Sequence, residues 1–261
     1  MITNFHTHTY RCQHAQGTEE DYVLAAIKSG VEILGFSDHA PFPDKDFGLR
    51  MKFDELDKYV DEIERLKKVY NGQITLFKGL EIEYHPQYLL YYKELLENCG
   101  LEYLVLGEHT YTTPDGEMHN IFFADSTEDY VNYANSVCEA MKTGLFAFIA
   151  HPDLMFINDK LWDDNCEKAC HLIIDCAEKT DTILEFNANG LRRQKQSYID
   201  GLRYPYPHEV FWEMVKGRNI RVIVNSDNHV PEQVNDEYVQ LARKMVFDFN
   251  LNLVDTIKPY K

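Results

Sequence analysis

The sequence lacks the features that define several large classes of protein. It contains no uninterrupted apolar run of about 18 residues, so it predicts no membrane-spanning helix. The first ten residues, MITNFHTHTY, have neither a basic n-region nor an apolar h-region, and we expect no secretory signal peptide. Low-complexity tracts, repeats and linker-like shifts in composition are also missing. These absences favour one domain over residues 1–261, a length that β/α barrels commonly reach.

The sequence has no regular cysteine spacing and has few basic residues relative to acidic ones. The six cysteines include no CxxC pair, which favours reduced thiols and a cytoplasmic protein over a disulfide framework. There are 26 basic and 43 acidic residues, and the formal net charge is −17. Such a surface repels nucleic acid and anionic lipid, so we expect neither a nucleic acid nor a membrane as a partner.

Histidine, in contrast, is concentrated in short motifs. Seven of the eleven histidines lie in such motifs along the whole chain, and two acidic residues occupy comparable positions. The candidate metal ligands are His6, His8, His14, His39, Glu81, His109, His151, Asp227 and His229. Imidazole and carboxylate groups bind zinc, iron and manganese, and a set of this size can hold two to three divalent ions.

Most of these residues end an apolar run that is typical of a buried parallel β-strand. Seven such runs end near residues 6, 38, 81, 109, 151, 187 and 227. Between them, amphipathic patterns predict helices after Thr18 and over residues 53–70, 128–142, 166–179, 207–218 and 236–249. The alternation of strand and helix indicates an α/β, barrel-like fold. In such barrels the chemistry lies at the C-terminal ends of the strands, where we expect the metal site.

The spacing within the motifs supports metal binding. His6 and His8 are two residues apart, so a strand would turn both rings to the same side. The alternative is a pair of histidines that face solvent. Asp38-His39 and Asp227-Asn228-His229 follow similar apolar strands. Their aspartates could be ligands, carboxylates that orient a ring, or caps of a strand-end turn.

One glutamate is a candidate for bridging two ions. Glu81 and Glu83 would share a face of their strand, and Glu81 lies nearer the apolar run. A carboxylate that bridges two divalent ions is common in binuclear sites. A buried glutamate without a nearby cation would be costly, so we favour Glu81 as the bridge.

A basic turn follows the strand near residue 187. Its arginines, Arg192 and Arg193, are candidates for substrate binding, because a guanidinium fork can hold a phosphate through two hydrogen bonds. The alternative, a solvated basic loop, would apply to one of the two. We favour Arg192 as the phosphate ligand.

The motifs together resemble those of the PHP family, named for polymerase and histidinol phosphatase. The resemblance covers essentially the whole chain and is carried by His6-Thr7-His8, His14, Asp38-His39, Glu81, His109, His151-Pro152-Asp153 and Asp227-Asn228-His229. It implies a distorted seven-stranded (β/α)7 barrel with two or three divalent ions. Residues 187–192 are similar to the stand-alone histidinol-phosphate phosphatases of the family.

The resemblance also implies a ligand set for each ion. His6, His8, Glu81 and Asp227 would hold the first ion, and Glu81, His109 and His151 the second. His14, His39 and His229 would hold the third.

The activity that the resemblance implies is hydrolysis of a small phosphorylated substrate, L-histidinol phosphate. Asp227 would act at the metals. The leaving alkoxide would be stabilised by a metal or protonated by a nearby acid, for which Asp38 and Asp153 are both candidates. Another small phosphate monoester, a phosphodiester, and a non-catalytic metal scaffold are the alternatives. The stretch after Asp153 reads Leu-Met-Phe-Ile, where relatives with this activity often carry a basic residue.

Overall fold

The computed structural model describes residues 1–260 and has an α/β architecture. The strands of this part of the chain are β1 Thr3–Asn4, β2 Ile33–Phe36, β3 Thr75–Ile82, β4 Tyr103–Leu106, β5 Thr110–Thr112, β6 Met118–Asn120, β7 Phe148–Ile149, β8 Ile183–Asn187, β9 Gln196–Tyr198, β10 Gly201–Arg203, β11 Arg221–Asn225 and β12 Asn252–Leu253. The helices are α1 Glu19–Lys28, α2 Leu56–Val69, α3 Leu89–Glu97, α4 Glu128–Thr143, α5 Asp164–Thr180, α6 Ala188–Arg192, α7 Glu209–Val215 and α8 Glu237–Asp248.

Eight of the strands form one parallel sheet, in the order β1-β2-β3-β4-β7-β8-β11-β12. The first seven in this order are the strands that the apolar runs predict. The expected count of seven is one too low, because β12 adds an eighth strand beside β11. Both residues of β12 are exposed, so no apolar run signals it.

The sheet curls until its first strand approaches its seventh. An isolated parallel bridge pairs Thr7 with Asn228, and the His8 amide donates to the carbonyl oxygen of Asn228 at 3.1 Å. The ends of β1 and β11 therefore lie side by side, although more than 200 residues separate them in the chain.

All six predicted helices are present, with ends that differ from the predictions by a few residues. Thr18 caps α1 as expected, in a capping box with Asp21. Two helices, α3 and α6, were not predicted, and neither were the hairpins β5–β6 and β9–β10. These elements are short, and the hairpin strands β6, β9 and β10 contain no buried residue that would impose an alternating pattern. Within residues 1–260, no helix is both long and apolar enough to cross a membrane.

Tyr103 fills the interior of the curled sheet. Its ring is fully buried, and its hydroxyl donates to the carbonyl oxygens of Phe5 at 2.9 Å and Phe36 at 2.8 Å. Gly35 and Gly79 leave the space that the ring needs: an added Cβ would lie 2.3 Å from the hydroxyl at Gly35 and 2.4 Å from the ring at Gly79. One side chain of β4 therefore ties three neighbouring strands together beneath the site.

This packing predicts a difference between two glycine variants. Gly35→Ala and Gly79→Ala should each destabilise the protein by about 1–3 kcal/mol, the usual cost of overpacking. Tyr103→Phe should recover part of the Gly35→Ala loss, because it removes the atom nearest the new methyl group. It should not rescue Gly79→Ala, whose methyl still meets the ring. Urea unfolding of the single and double variants measures this, and equal rescue at both positions would contradict the packing.

Candidate metal centre

The nine candidate ligands converge at one end of the sheet. Seven of them line a cavity of about 480 Å³, namely His14, His39, Glu81, His109, His151, Asp227 and His229. His6 and His8 lie beneath the cavity floor and are fully buried. The ligands come from residues that follow or end β1, β2, β3, β4, β7 and β11. The parallel sheet thus brings side chains from both ends of the chain to one place.

The tightest group contains His6, His8, Glu81 and Asp227. The Nε2 atom of His6 lies 3.4 Å from Glu81 Oε2 and 3.6 Å from Asp227 Oδ1. The Nε2 atom of His8 lies 3.4 Å and 3.2 Å from the same two oxygens. Bond lengths of 2.0–2.2 Å in a tetrahedral zinc site put neighbouring ligand atoms about 3.3–3.6 Å apart. The spacing of this group therefore fits the coordination sphere of a divalent metal.

The second oxygen of Glu81 faces a different pair of histidines. Its Oε1 atom lies 3.1 Å from His151 Nε2 and 3.7 Å from His109 Nε2. The two oxygens of one carboxylate thus belong to two separate ligand groups. This is the arrangement that a bridging carboxylate requires.

A third group forms at the rim of the cavity from His14, His39 and His229. Ligand atoms of these three histidines lie within 4.8 Å of one another, and the Nε2 atoms of His14 and His229 are 2.9 Å apart. His39 also places Nδ1 2.9 Å from Glu81 Oε2, so its ring stands between the third group and the other two. The rings of His8 and His39 are 4.3 Å apart, so the three groups are contiguous.

Several of these atoms are buried and have no hydrogen-bond partner. They are His6 Nε2, His8 Nε2, His39 Nδ1 and Glu81 Oε2. Each unsatisfied buried polar atom costs about 1–3 kcal/mol, and four in one place are a substantial destabilisation. Divalent cations would satisfy them together, so the donor set fits bound metal.

The electrostatics of Glu81, His39 and His229 favour the protonation states that bind metals. Burial would raise the pKa of Glu81, but the surrounding histidines, His39 and His6 first, hold that pKa well below its usual value. Burial lowers the pKa of His39 well below its usual value, and burial and His8 together lower that of His229 to about 4. An ionised carboxylate and neutral imidazoles are the metal-binding forms of these groups. For His6 and His151, burial is outweighed by nearby carboxylates, Glu185 and Glu81 respectively, which raise the pKa of each ring.

Two further buried glutamates orient the histidines. Glu185 lies 2.8 Å from His6 Nδ1 through Oε1 and accepts from the backbone amide of His151 at 3.0 Å through Oε2. That contact helps to fix His151 in a left-handed backbone conformation, with a φ of +29°. Glu83 Oε1 lies 3.1 Å from His109 Nδ1. Carboxylates in this position set the tautomer and direction of a ligating ring.

Residues 4–189 of the chain match the PHP domain, a stretch that covers most of the sequence and most of the ligands described above. The chain belongs to the PHP family.

Similar proteins include a probable histidinol-phosphatase of Deinococcus radiodurans, which is 30% identical over 250 residues, 94% of this chain and 92% of that protein. A histidinol-phosphatase of Bacillus subtilis is 26% identical and covers 89% of this chain and 95% of its own length. The fold is similar to that of histidinol phosphate phosphatase from Lactococcus lactis subsp. lactis, crystallised with zinc, L-histidinol and phosphate. That comparison gives a TM-score of 0.74 at 14% identity and covers 100% of this chain and 99% of the other.

Two aspartates of this PHP domain lie outside the cavity, contrary to prediction. Asp38 accepts hydrogen bonds from the backbone amide of Thr9 at 2.8 Å and from its hydroxyl at 2.7 Å, and burial raises the pKa of Asp38 to about 8. Asp153 accepts from the His208 amide at 2.6 Å and from Trp212 Nε1 at 3.0 Å. Neither side chain lines the cavity. Both instead hold neighbouring segments together.

The two arginines of the basic turn lie just beyond the matched residues, and Arg193 rather than Arg192 faces the cavity. Arg192 has a side chain that is only 8% exposed, and its guanidinium donates to Asp236 at 2.7 Å and to the carbonyl oxygens of Ser226 at 2.5 Å and Gln233 at 3.0 Å. It does not line the cavity, whereas Arg193 does. The geometry favours Arg193 over Arg192 as a cavity residue, because α6 and its C-cap Arg193 are helical and each successive side chain is rotated by about 100°.

The cavity also contains residues that the sequence did not single out. They are Gly48, Leu49, Arg50, Phe122, Leu154, Asn189 and Tyr206. Asn189 donates to Asp227 Oδ2 at 3.2 Å, and the ring of Phe122 stacks on that of His109 with centroids 5.8 Å apart. These side chains form most of the wall that a substrate would meet above the ligands.

The different surroundings of Arg192 and Arg193 predict different effects on stability when each is replaced. Arg192→Met should destabilise the protein by about 3 kcal/mol or more, because it leaves a partly buried Asp236 without its cation. Arg193→Met, the matched control, should change stability by less than about 0.5 kcal/mol, since its side chain is exposed. Denaturant midpoints measure both changes. Similar midpoints for the two variants would show that the contacts of Arg192 are dispensable.

Proposed function

We propose that this chain is a metal-dependent phosphomonoesterase that hydrolyses L-histidinol phosphate to L-histidinol and phosphate. The proposal depends on one observation. The two carboxylate oxygens of Glu81 face two separate ligand groups at the floor of a cavity that Arg193 also lines. The names of the Deinococcus and Bacillus relatives, and the zinc, histidinol and phosphate bound by the Lactococcus protein, support this substrate over other phosphate esters.

The proposed metal ligands follow the three groups of the site. His6, His8, Glu81 and Asp227 would hold one ion, Glu81, His109 and His151 a second, and His14, His39 and His229 a third. The chain would therefore carry two to three divalent ions, with zinc, iron and manganese all compatible with imidazole and carboxylate ligands. Bound divalent ions lower the pKa of water to near neutrality and neutralise charge on a phosphoryl group.

The protein's own side chains would position the ester. Arg193 is permanently cationic and can donate to two phosphoryl oxygens at once. Its guanidinium carbon lies 5.8 Å from the centre of the Tyr206 ring, a cation–π contact that limits its movement. Leu49, Phe122 and Leu154 give the cavity an apolar part that suits a ring-bearing alcohol.

Proton transfer is assigned to Asp227 rather than to Asp38 or Asp153. Of these three, Asp227 alone lines the cavity. Burial would raise the pKa of Asp227, but His6 and His8 hold it well below its usual value, so the carboxylate is ionised and can accept a hydrogen bond from the attacking water. Asn187 and Asn189 donate to its Oδ2 atom at 3.1 Å and 3.2 Å, which fixes the direction of the carboxylate.

Phosphate release from a panel of esters tests the substrate. L-Histidinol phosphate should be hydrolysed with a specificity constant at least about tenfold above that of other small monoesters and of phosphodiesters, a difference of about 1.4 kcal/mol in transition-state binding. Treatment with a chelator should abolish the reaction, and added zinc, iron or manganese should restore it. Faster hydrolysis of another monoester or of a phosphodiester would favour the alternative substrates of this fold.

The bridging role of Glu81 is tested against its neighbour on the same strand. Glu81→Gln should lower the metal content by at least one ion per chain and reduce kcat by orders of magnitude, because both of its oxygens face ligand groups. Glu83→Gln is the matched control, since Glu83 contacts only the ring of His109 among the proposed ligands, and we expect about a 10–100-fold loss. Elemental analysis and steady-state kinetics measure both. Equal metal loss in the Glu81→Gln and Glu83→Gln variants would show that Glu81 is not the bridging ligand.

A further inference from the structure

Arg50 is a buried cation in the wall of the cavity. It lies in the loop between β2 and α2 and is 9% exposed. Its Nη2 atom pairs with Glu83 Oε1, but its Nε and Nη1 atoms are buried and have no hydrogen-bond partner. A guanidinium cannot lose its proton, so Arg50 remains a cation in the cavity wall.

The position of Arg50 is fixed from several sides. The carbonyl oxygen of Arg50 accepts from the side-chain amide of Gln13 at 2.6 Å, and the next amide, of Met51, donates to the carbonyl oxygen of His39 at 3.1 Å. Glu83 holds one end of the guanidinium. Donors held in place before a ligand arrives lose little entropy when it binds.

Arg50 and Arg193 are the two residues lining the cavity that carry a permanent positive charge. They come from different segments, the loop after β2 and the end of α6. The segment after Asp153 adds only Leu154 to the lining, and the amine of Lys160 donates to the carbonyl oxygen of Asp125 at 2.8 Å and does not line the cavity. A phosphoryl group in this cavity would therefore find its second guanidinium at Arg50.

We propose that the Arg50 guanidinium binds the phosphoryl group together with Arg193 while it remains paired with Glu83. The inference rests on the proposed phosphatase function but applies equally to inorganic phosphate as a ligand. Because Glu83 Oε1 also contacts His109 Nδ1, Arg50 connects the phosphate site to a proposed metal ligand. Hydrogen bonds between charged partners of this kind are the strong ones in proteins.

A simpler role for Arg50 is to neutralise Glu83 and thereby position His109. The two roles differ in what they change. A positioning residue would alter metal content and leave the phosphate affinity of the loaded protein unchanged. A phosphate ligand would alter phosphate affinity and leave metal content unchanged.

The test is inorganic phosphate binding to the full, metal-loaded chain, measured by calorimetry and as competitive inhibition, with metal content determined on the same samples. Arg50→Met should weaken phosphate binding by about 10–100-fold, as should Arg193→Met. Arg50→Lys should fold with its Glu83 contact intact and still lose several-fold in affinity, because one ammonium lacks the planar fork. Lys45→Met, in the same loop and exposed, is the control and should bind phosphate as the unmodified chain does.

Unchanged phosphate affinity in both Arg50 variants would overturn the proposal, and so would loss of metal with unchanged affinity in the molecules that remain loaded. If Arg50→Met does not fold, the phosphate affinity of Arg50→Lys alone tests the proposal. A chain that binds phosphate through Arg50 but does not hydrolyse L-histidinol phosphate would reject the proposed substrate while supporting this role of Arg50.

Discussion

The carboxylate of Glu81 is the constraint on which the centre depends, because it is fully buried and surrounded on both oxygens by imidazoles. A carboxylate in this position is stable only if positive charge faces it. The glycine that follows the neighbouring strand leaves room for this side chain, because a Cβ on Gly107 would lie 2.0 Å from Glu81 Oε1. The glycine after β4 thus admits the Glu81 side chain, and Glu81 sets the spacing of the histidines around it.

Behind the ligands, a ring of buried acids and amides keeps that spacing. Glu185 receives the amides of Asn187 at 2.7 Å and Asn225 at 3.0 Å while it contacts His6, and Glu83 stands between Arg50 and His109. These groups have few alternative partners in the interior, so the network is costly to rearrange. The centre is therefore rigid on the side of the sheet, and its more exposed histidines lie at the rim.

Much of this was predictable from the sequence because of where the ligands stand. Apolar runs identified the seven strands that carry the site, and residues at the ends of parallel strands must meet at one edge. The sequence could not reveal β12, which is exposed, or Glu185, whose place in an apolar strand becomes meaningful only when His6 packs beside it. Arg192 and Arg193 are adjacent, so their roles depended on the rotation of a short helical turn. The Gly-Leu-Arg tripeptide occurs at residues 48–50, 190–192 and 201–203, and only the arginine of the first copy lines the cavity, so the tripeptide alone does not identify a phosphate ligand.

The bridge between Thr7 and Asn228 has a consequence for how the molecule is made. Ligands at residues 6 and 8 leave the ribosome first, whereas those at 227 and 229 emerge only when most of the chain has been synthesised. The histidines near the N-terminus are therefore an incomplete ligand set until residues 227 and 229 have been synthesised. Closing so long a span is slow, because the entropy of loop closure must be lost before the contacts form. The complete centre therefore cannot form until this long span has closed.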